Sequence, residues 1–138
     1  MLSNHQIDLV QDSFAAVVPI TDHAAAEFYR RLFELAPDTK PLFRHGMAEQ
    51  GRKLFLTLAT VVDALDRLDT IVPVARELAI RHLAYGAQDR HYAAVGSALI
   101  ETLRAGLGPA FDSATETAWT AAYTILADTM LAAVREAI

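Results

Sequence analysis

In the stretch ELAIRHLAYG, residues 77–86, a histidine shares a helical face with a leucine. His82 follows Leu78 by one turn, so on a helix the two side chains lie one above the other. Gly86 closes the segment as the residue usually found just past a helix C-terminus. A face that carries Leu78 points inward, and an imidazole on it needs a partner for each ring nitrogen. Two roles meet that need. One is a core histidine with two hydrogen bonds; the other is a metal ligand, with one nitrogen on the metal and the other oriented by an acceptor. Taken alone, the segment favours the core histidine.

The rest of the chain also reads as helix. Ser3 and Gln6 form an S-x-x-Q capping box ahead of a helix with Ile7, Val10, Phe14 and Val17 or Val18 inward. Pro19 ends it. Thr21 and Asp22 open a second helix to about Leu35, whose apolar side carries Ala25, Phe28, Tyr29, Leu32 and Phe33. Pro37 suits the start of a short helical turn, which Pro41 confines to 37–43. A loop over 44–47 leads to a long helix ending near Leu65. Its stripe of Leu54, Leu58, Val61, Val62 and Leu65 extends back one turn to Gln50. After a connection at 66–69, the helix of His82 begins near Thr70. Residues 88–107 form another helix with Tyr92, Val95, Leu99 and Leu103 aligned, and GLGP at 106–109 breaks it. Asp112 or Ser113 caps a last helix to about Ala137, with Trp119, Tyr123, Leu126, Met130 and Val134 inward. No strand pattern, repeat or linker interrupts, so one all-α domain over 1–138 is expected.

Composition narrows the function. Hydrophobic residues make up 53% of the chain, above the usual ~45–50%, which allows a large core or an apolar pocket. Net charge is −5 and the 12 Lys and Arg are scattered, which argues against nucleic acid as a partner. The lack of Cys removes disulfides, thiolate metal sites, iron–sulfur clusters and cysteine nucleophiles together. The N-terminus does not have the pattern of a signal peptide. The apolar runs fall short of the ~20 residues of a membrane span. The expected setting is the cytoplasm.

Tyr29, Gln50 and His82 each place a polar group on an otherwise apolar face of a different helix. One such group is ordinary. Three in a small helical chain imply one polar point inside an apolar cavity, the usual form of a cofactor site. Around them stand FYRRLFELAPDTKPLF (28–43), Gln50 with Leu54, IRHLAYG (80–86), HYAAVG (91–96) and AWTAAY (118–123). With these pieces the chain resembles the globins, specifically bacterial single-domain haemoglobins and the globin domain of flavohaemoglobins. The resemblance covers almost the whole chain in order. It implies an all-α globin fold of about seven helices crossing at steep angles around haem b, with the D helix absent or vestigial.

The resemblance also assigns roles. His82 matches the proximal histidine that binds haem iron axially, and Phe43 matches the phenylalanine stacked on the porphyrin. Tyr29 and Gln50 match the distal pair, with Leu54 covering the ligand site. Phe28, Leu58, Leu78, Val95 and Leu126 are candidates for the haem wall, although plain core packing explains each equally well. Lys53 and Arg81 could pair with haem propionates or stand as solvated cations. Tyr92 matches a tyrosine that, with a glutamate, hydrogen-bonds around the proximal histidine in flavohaemoglobins and raises its donor strength. Counting from Trp119 puts the glutamate position on Val134, with Glu136 two residues on. His5, His23, His45 and His91 read as surface residues.

The distal pair has a physical rationale. Oxygen on ferrous iron gains superoxide character, and hydrogen-bond donors in a low-dielectric pocket stabilise that charge. High affinity and slow oxygen release follow. Gln50 does not ligate iron as a distal histidine would, which argues against a bis-histidine resting state. The expected function is binding or transport of dioxygen, with NO and CO as further ligands. Nitric oxide dioxygenation, with Tyr29 and Gln50 as catalytic residues, is the enzymatic alternative, and gas sensing a third. With no flavin or nicotinamide domain in the sequence, turnover would require a separate flavin/NAD(P)H reductase. A monomer or a homodimer fits equally.

Overall fold

In the computed structural model, which describes residues 2–43 and 46–137 (the side chains of 84, 85 and 137 excepted), the expected capping box opens the chain. The Gln6 N–H donates to Ser3 Oγ at 3.1 Å, and the Ser3 N–H donates to Gln6 Oε1 at 3.0 Å. Two orphan donors of the first turn are thereby satisfied. Helix α1 (Asn4–Val17) follows, burying Ile7, Val10, Phe14 and Val17. Val18 is exposed and belongs to a 3-10 turn shaped by Pro19.

The remaining elements are α2 (Thr21–Leu35), a 3-10 segment (Pro37–Leu42), α3 (Met47–Asp63), α4 (Leu68–Tyr85), α5 (Asp89–Leu107) and α6 (Ser113–Ala137). A second short 3-10 turn, Gly108–Ala110, joins α5 to α6. The described residues contain no strand. The 37–42 segment stands where the short seventh helix was expected. Pro41 keeps it from continuing as α-helix. The end of α3 and the start of α4 each fall two residues before the positions read from sequence. His45 and part of the expected 44–47 loop lie outside the described residues.

Helix pairing follows the apolar stripes. α2 packs on α5 and α3, α4 on α6, and α1 on α6. Phe14 is central, with ring centroids 6.2 Å from Phe55 and 6.3 Å from Trp119. The Trp119 indole N–H donates to Ser13 Oγ at 2.8 Å, and Ser13 Oγ donates to the Leu9 carbonyl at 2.6 Å, so the polar edge of the core is satisfied. Leu32, 1% exposed, illustrates the driving force, since burying such a side chain contributes about 1.5–3 kcal/mol.

Two features position the site. First, α2 and α3 cross with backbones close together at Gly51. A Cβ there would lie 2.7 Å from the Ala25 Cβ, so a side chain at 51 would force the helices apart. Second, α3 and α4 follow one another in sequence but are not an extensively packed pair among the described residues. α4 buries Ile71, Ala75 and Ala79, spaced one turn apart, and its main partner is α6. Leu78, on the adjacent row, is half-buried against the core, and His82 follows it one turn later.

Candidate functional site

Helix α2 delivers Tyr29 into an aromatic cluster. The Tyr29 ring lies edge-on to Phe28 and Phe43, each with centroids 5.1 Å away, and alongside Phe33 at 6.0 Å. Phe33 and Phe43 complete the cluster at 5.7 Å. Such edge-to-face pairs add about 0.5–1.5 kcal/mol each beyond burial. The Tyr29 side chain is buried, and its hydroxyl donates to the Gln50 backbone carbonyl at 3.2 Å. Burial pushes the hydroxyl pKa up to about 12, so it is a neutral donor at physiological pH.

Gln50 sits in the first turn of α3, half-buried, and Leu54 is half-buried one turn later. The Gly51–Ala25 contact holds this turn against α2 and so brings Gln50 within reach of Tyr29. Tyr29, Gln50 and Phe43 are thus brought together as expected, but the hydroxyl meets the Gln50 main chain rather than its amide.

His82 stands on α4. Its Nδ1 lies 2.6 Å from the Leu78 carbonyl. A carbonyl only accepts, so Nδ1 carries the proton and, in the neutral ring, Nε2 carries the lone pair. This is the second-atom acceptor that a metal-binding imidazole requires. The inward orientation read from Leu78 does not hold: His82 is exposed and Leu78 half-buried. The stripe packed on the rest of the fold is Ile71–Ala75–Ala79, and the Leu78–His82 row lies beside it.

The other candidates divide. Phe28 is buried beneath Tyr29, and Val95 is half-buried against the core. Leu58 and Leu126 line a small apolar cavity of about 20 Å³ together with Val10, Trp119 and Tyr123. Lys53 and Arg81 are exposed, and each pairs with a glutamate one turn earlier on its own helix, Lys53 with Glu49 at 3.6 Å and Arg81 with Glu77. Tyr92 is half-buried, its hydroxyl pKa raised by burial, and its carbonyl accepts from the Tyr123 hydroxyl at 2.5 Å. Burial raises the Tyr123 pKa strongly. Val134 is half-buried. The Glu136 carboxylate pairs with Arg76, a surface link between α6 and α4.

One reading is overturned. His91 is not a surface residue; it is 5% exposed. Its Nδ1 accepts from the Gln88 N–H and its Nε2 faces Asp38 Oδ2, both at 2.9 Å. Gln88 and His91 form a capping pair at the start of α5, a pattern visible in principle at that spacing. Asp38 lies 53 residues away, and nothing local in the sequence points to it.

The globin family matches residues 26–130. The chain is a globin. It is 30% identical over 134 residues to a flavohemoprotein of Vibrio cholerae, covering 95% of this chain and 34% of that protein. It is 32% identical over 137 residues to a flavohemoprotein of Chromobacterium violaceum, covering 95% and 33%. The chain therefore spans about a third of the length of these relatives. Among solved structures, a bacterial globin of Campylobacter jejuni superposes with a TM-score of 0.84 at 25% identity, covering 97% of both chains. An engineered carbene transferase, made from a nitric oxide dioxygenase candidate of Rhodothermus marinus, also reaches 0.84, at 29% identity over 99% of this chain and 94% of that one.

The globin's donor set fits haem. Among the described residues no group of three or more His, Cys, Asp or Glu side chains could hold a bare metal ion. A lone tautomer-fixed imidazole suits a metal whose other ligands come from a porphyrin. Aromatic Phe43 beside a neutral Tyr29 donor suits the opposite side of such a ring.

Proposed function

We propose that this globin binds haem b through His82 and holds dioxygen, and also NO and CO, with high affinity beside Tyr29 and Gln50. The Tyr29 hydroxyl, buried among aromatic rings and 3.2 Å from Gln50, carries the reading. Haem, when bound, supplies the iron at which these gases bind reversibly.

The chain's own residues do the rest. The Leu78 carbonyl orients the His82 ring and fixes its proton on Nδ1. Phe28, Phe33 and Phe43 wall the Tyr29 hydroxyl from bulk water, and in that low-dielectric setting its hydrogen bond is worth more. That hydroxyl would exchange its bond to the Gln50 carbonyl for one to a ligand oxygen, with the Gln50 amide as the second donor. Leu54 and Leu58 keep the ligand side apolar, with Leu78, Val95 and Leu126 completing the wall. Lys53 and Arg81, each paired with a glutamate on its own helix, would be the cations available to haem propionates.

A donor to a partly charged acceptor contributes about 1.5–3 kcal/mol. Replacing Tyr29 by Phe is therefore expected to speed oxygen dissociation about 10- to 100-fold, measured by stopped-flow displacement with CO. An unchanged rate removes Tyr29 from the ligand site.

The likeness to flavohemoproteins and to the Rhodothermus marinus protein favours a second reading, nitric oxide dioxygenation. Tyr29 and Gln50 would then be the catalytic residues, with a cytoplasmic flavin/NAD(P)H reductase as electron source. Oxygenated protein should consume NO with stoichiometric nitrate, and sustained turnover with such a reductase separates enzyme from carrier.

A further inference from the structure

We infer that Asp38 and His91 form a clamp that sets the spacing between Phe43 and His82, and that the rate of haem loss depends on it. The inference rests on the haem reading above. The 37–42 segment, which ends at Phe43, is tied to the corner between α4 and α5 at two points. At its start, His91 Nε2 donates to Asp38 Oδ2 at 2.9 Å, and Arg90 reaches the same oxygen at 2.5 Å. At its end, Leu42 packs on Gly86, where an added Cβ would lie 3.3 Å from Leu42 Cδ2. Gly86 is the C-cap of α4 with φ 96°, one turn after His82. The two side chains assigned to opposite sides of the haem are thus joined by a short path that does not pass through the core.

His91 is built as a strut. The Gln88 backbone N–H can only donate, so Nδ1 accepts and Nε2 must carry the proton given to Asp38. The neutral ring satisfies both neighbours and is buried, with 6% of its side chain exposed. Asp38 is held by Arg90 and His91 far below its ordinary pKa, and so remains an acceptor. Nothing in the Tyr29–Gln50 contact involves these residues, so His91 and Asp38 are positioning residues rather than ligand contacts.

The test is haem transfer from the holoprotein to excess apomyoglobin at pH 7. Losing a part-buried bond to a charged acceptor predicts about tenfold acceleration for both His91→Ala and Asp38→Ala. The double variant should be less than additive, because the two singles share the loss of the His91–Asp38 bond while each also removes one bond of its own, Arg90 to Asp38 or Gln88 to His91. His91→Gln retains an acceptor for Gln88 and a donor for Asp38, and should stay within about threefold of wild type. The ¹⁵N shifts of His91 should show Nδ1 unprotonated and Nε2 protonated. Wild-type rates in both alanine variants, additive effects in the double, equal loss from His91→Gln and His91→Ala, or the opposite tautomer overturn the clamp. If His91→Ala does not fold, Asp38→Ala, at a partly exposed carboxylate, decides the matter. A wild-type chain that shows no Soret band after haem addition overturns the haem reading and the clamp with it; a haem-loaded chain with unaltered loss rates overturns the clamp alone.

Discussion

Tyr29 and Asp38 are both shifted from their ordinary pKa, for opposite reasons. Burial holds the Tyr29 hydroxyl neutral up to about pH 12. Its contribution to stability is complete below the unfolded value near 10 and is lost as pH rises through 12. Oxygen dissociation should accordingly stay flat from neutral pH to about pH 10. A rise with a midpoint at 10 would place the hydroxyl in water. Asp38 is depressed to about 2, first by Arg90 and then by His91. Its contribution is present above the unfolded value and lost as pH falls through 2. Thermal midpoints measured from pH 5 to 2 should therefore decline less steeply in Asp38→Asn than in wild type, and equal slopes would contradict the pairing. At this scale the sequence was readable where a side chain answers to its own helix. The capping box of Ser3 and Gln6 and the inward Tyr29 were both legible. His91 was not, because its burial is set by a carboxylate 53 residues away and not by its own apolar neighbours.

Elements were legible to within about two residues because stripes of Val, Leu and Phe at helical spacing mark faces strongly. What a stripe does not report is which of two adjacent rows meets a neighbour. On α4 the small residues Ala75 and Ala79, fully buried, form the packed row. The bulkier Leu78 marks the row beside it, which carries the exposed His82. On α3, Phe55 is buried against Phe14 although the stripe through Leu54 did not include it. Gly51 carried the opposite signal, since a glycine inside a strong helix usually marks a close approach. Its contact with Ala25 makes a direct prediction. Gly51→Leu inserts a side chain where a Cβ alone would sit 2.7 Å from Ala25. The variant should lose about 1–3 kcal/mol of stability by overpacking. It should also release oxygen faster, because Gln50 moves away from Tyr29. A chemical denaturation midpoint at the wild-type value would show that the crossing is looser than described.

For the whole molecule, the order of helices was legible and the packing scheme came with the globin resemblance; the family match and the structural neighbours bear both out. The site belongs to this scale. α2, α3 and the 37–42 segment bring Tyr29, Gln50 and Phe43 together, and α4 carries His82 on the row beside its buried Ile71–Ala75–Ala79 stripe. In the proposed reading a flat cofactor lies between them. Haem binding to the native state alone should then raise stability by linkage, about 4 kcal/mol at a thousandfold excess over the dissociation constant. The most direct test is the absorption spectrum of haem-reconstituted His82→Gly with and without free imidazole. Wild type is expected to show a Soret band with histidine ligation, His82→Gly to lose that ligation, and imidazole to restore it. A His82→Gly spectrum indistinguishable from wild type without imidazole would contradict the assignment of His82 as the iron ligand.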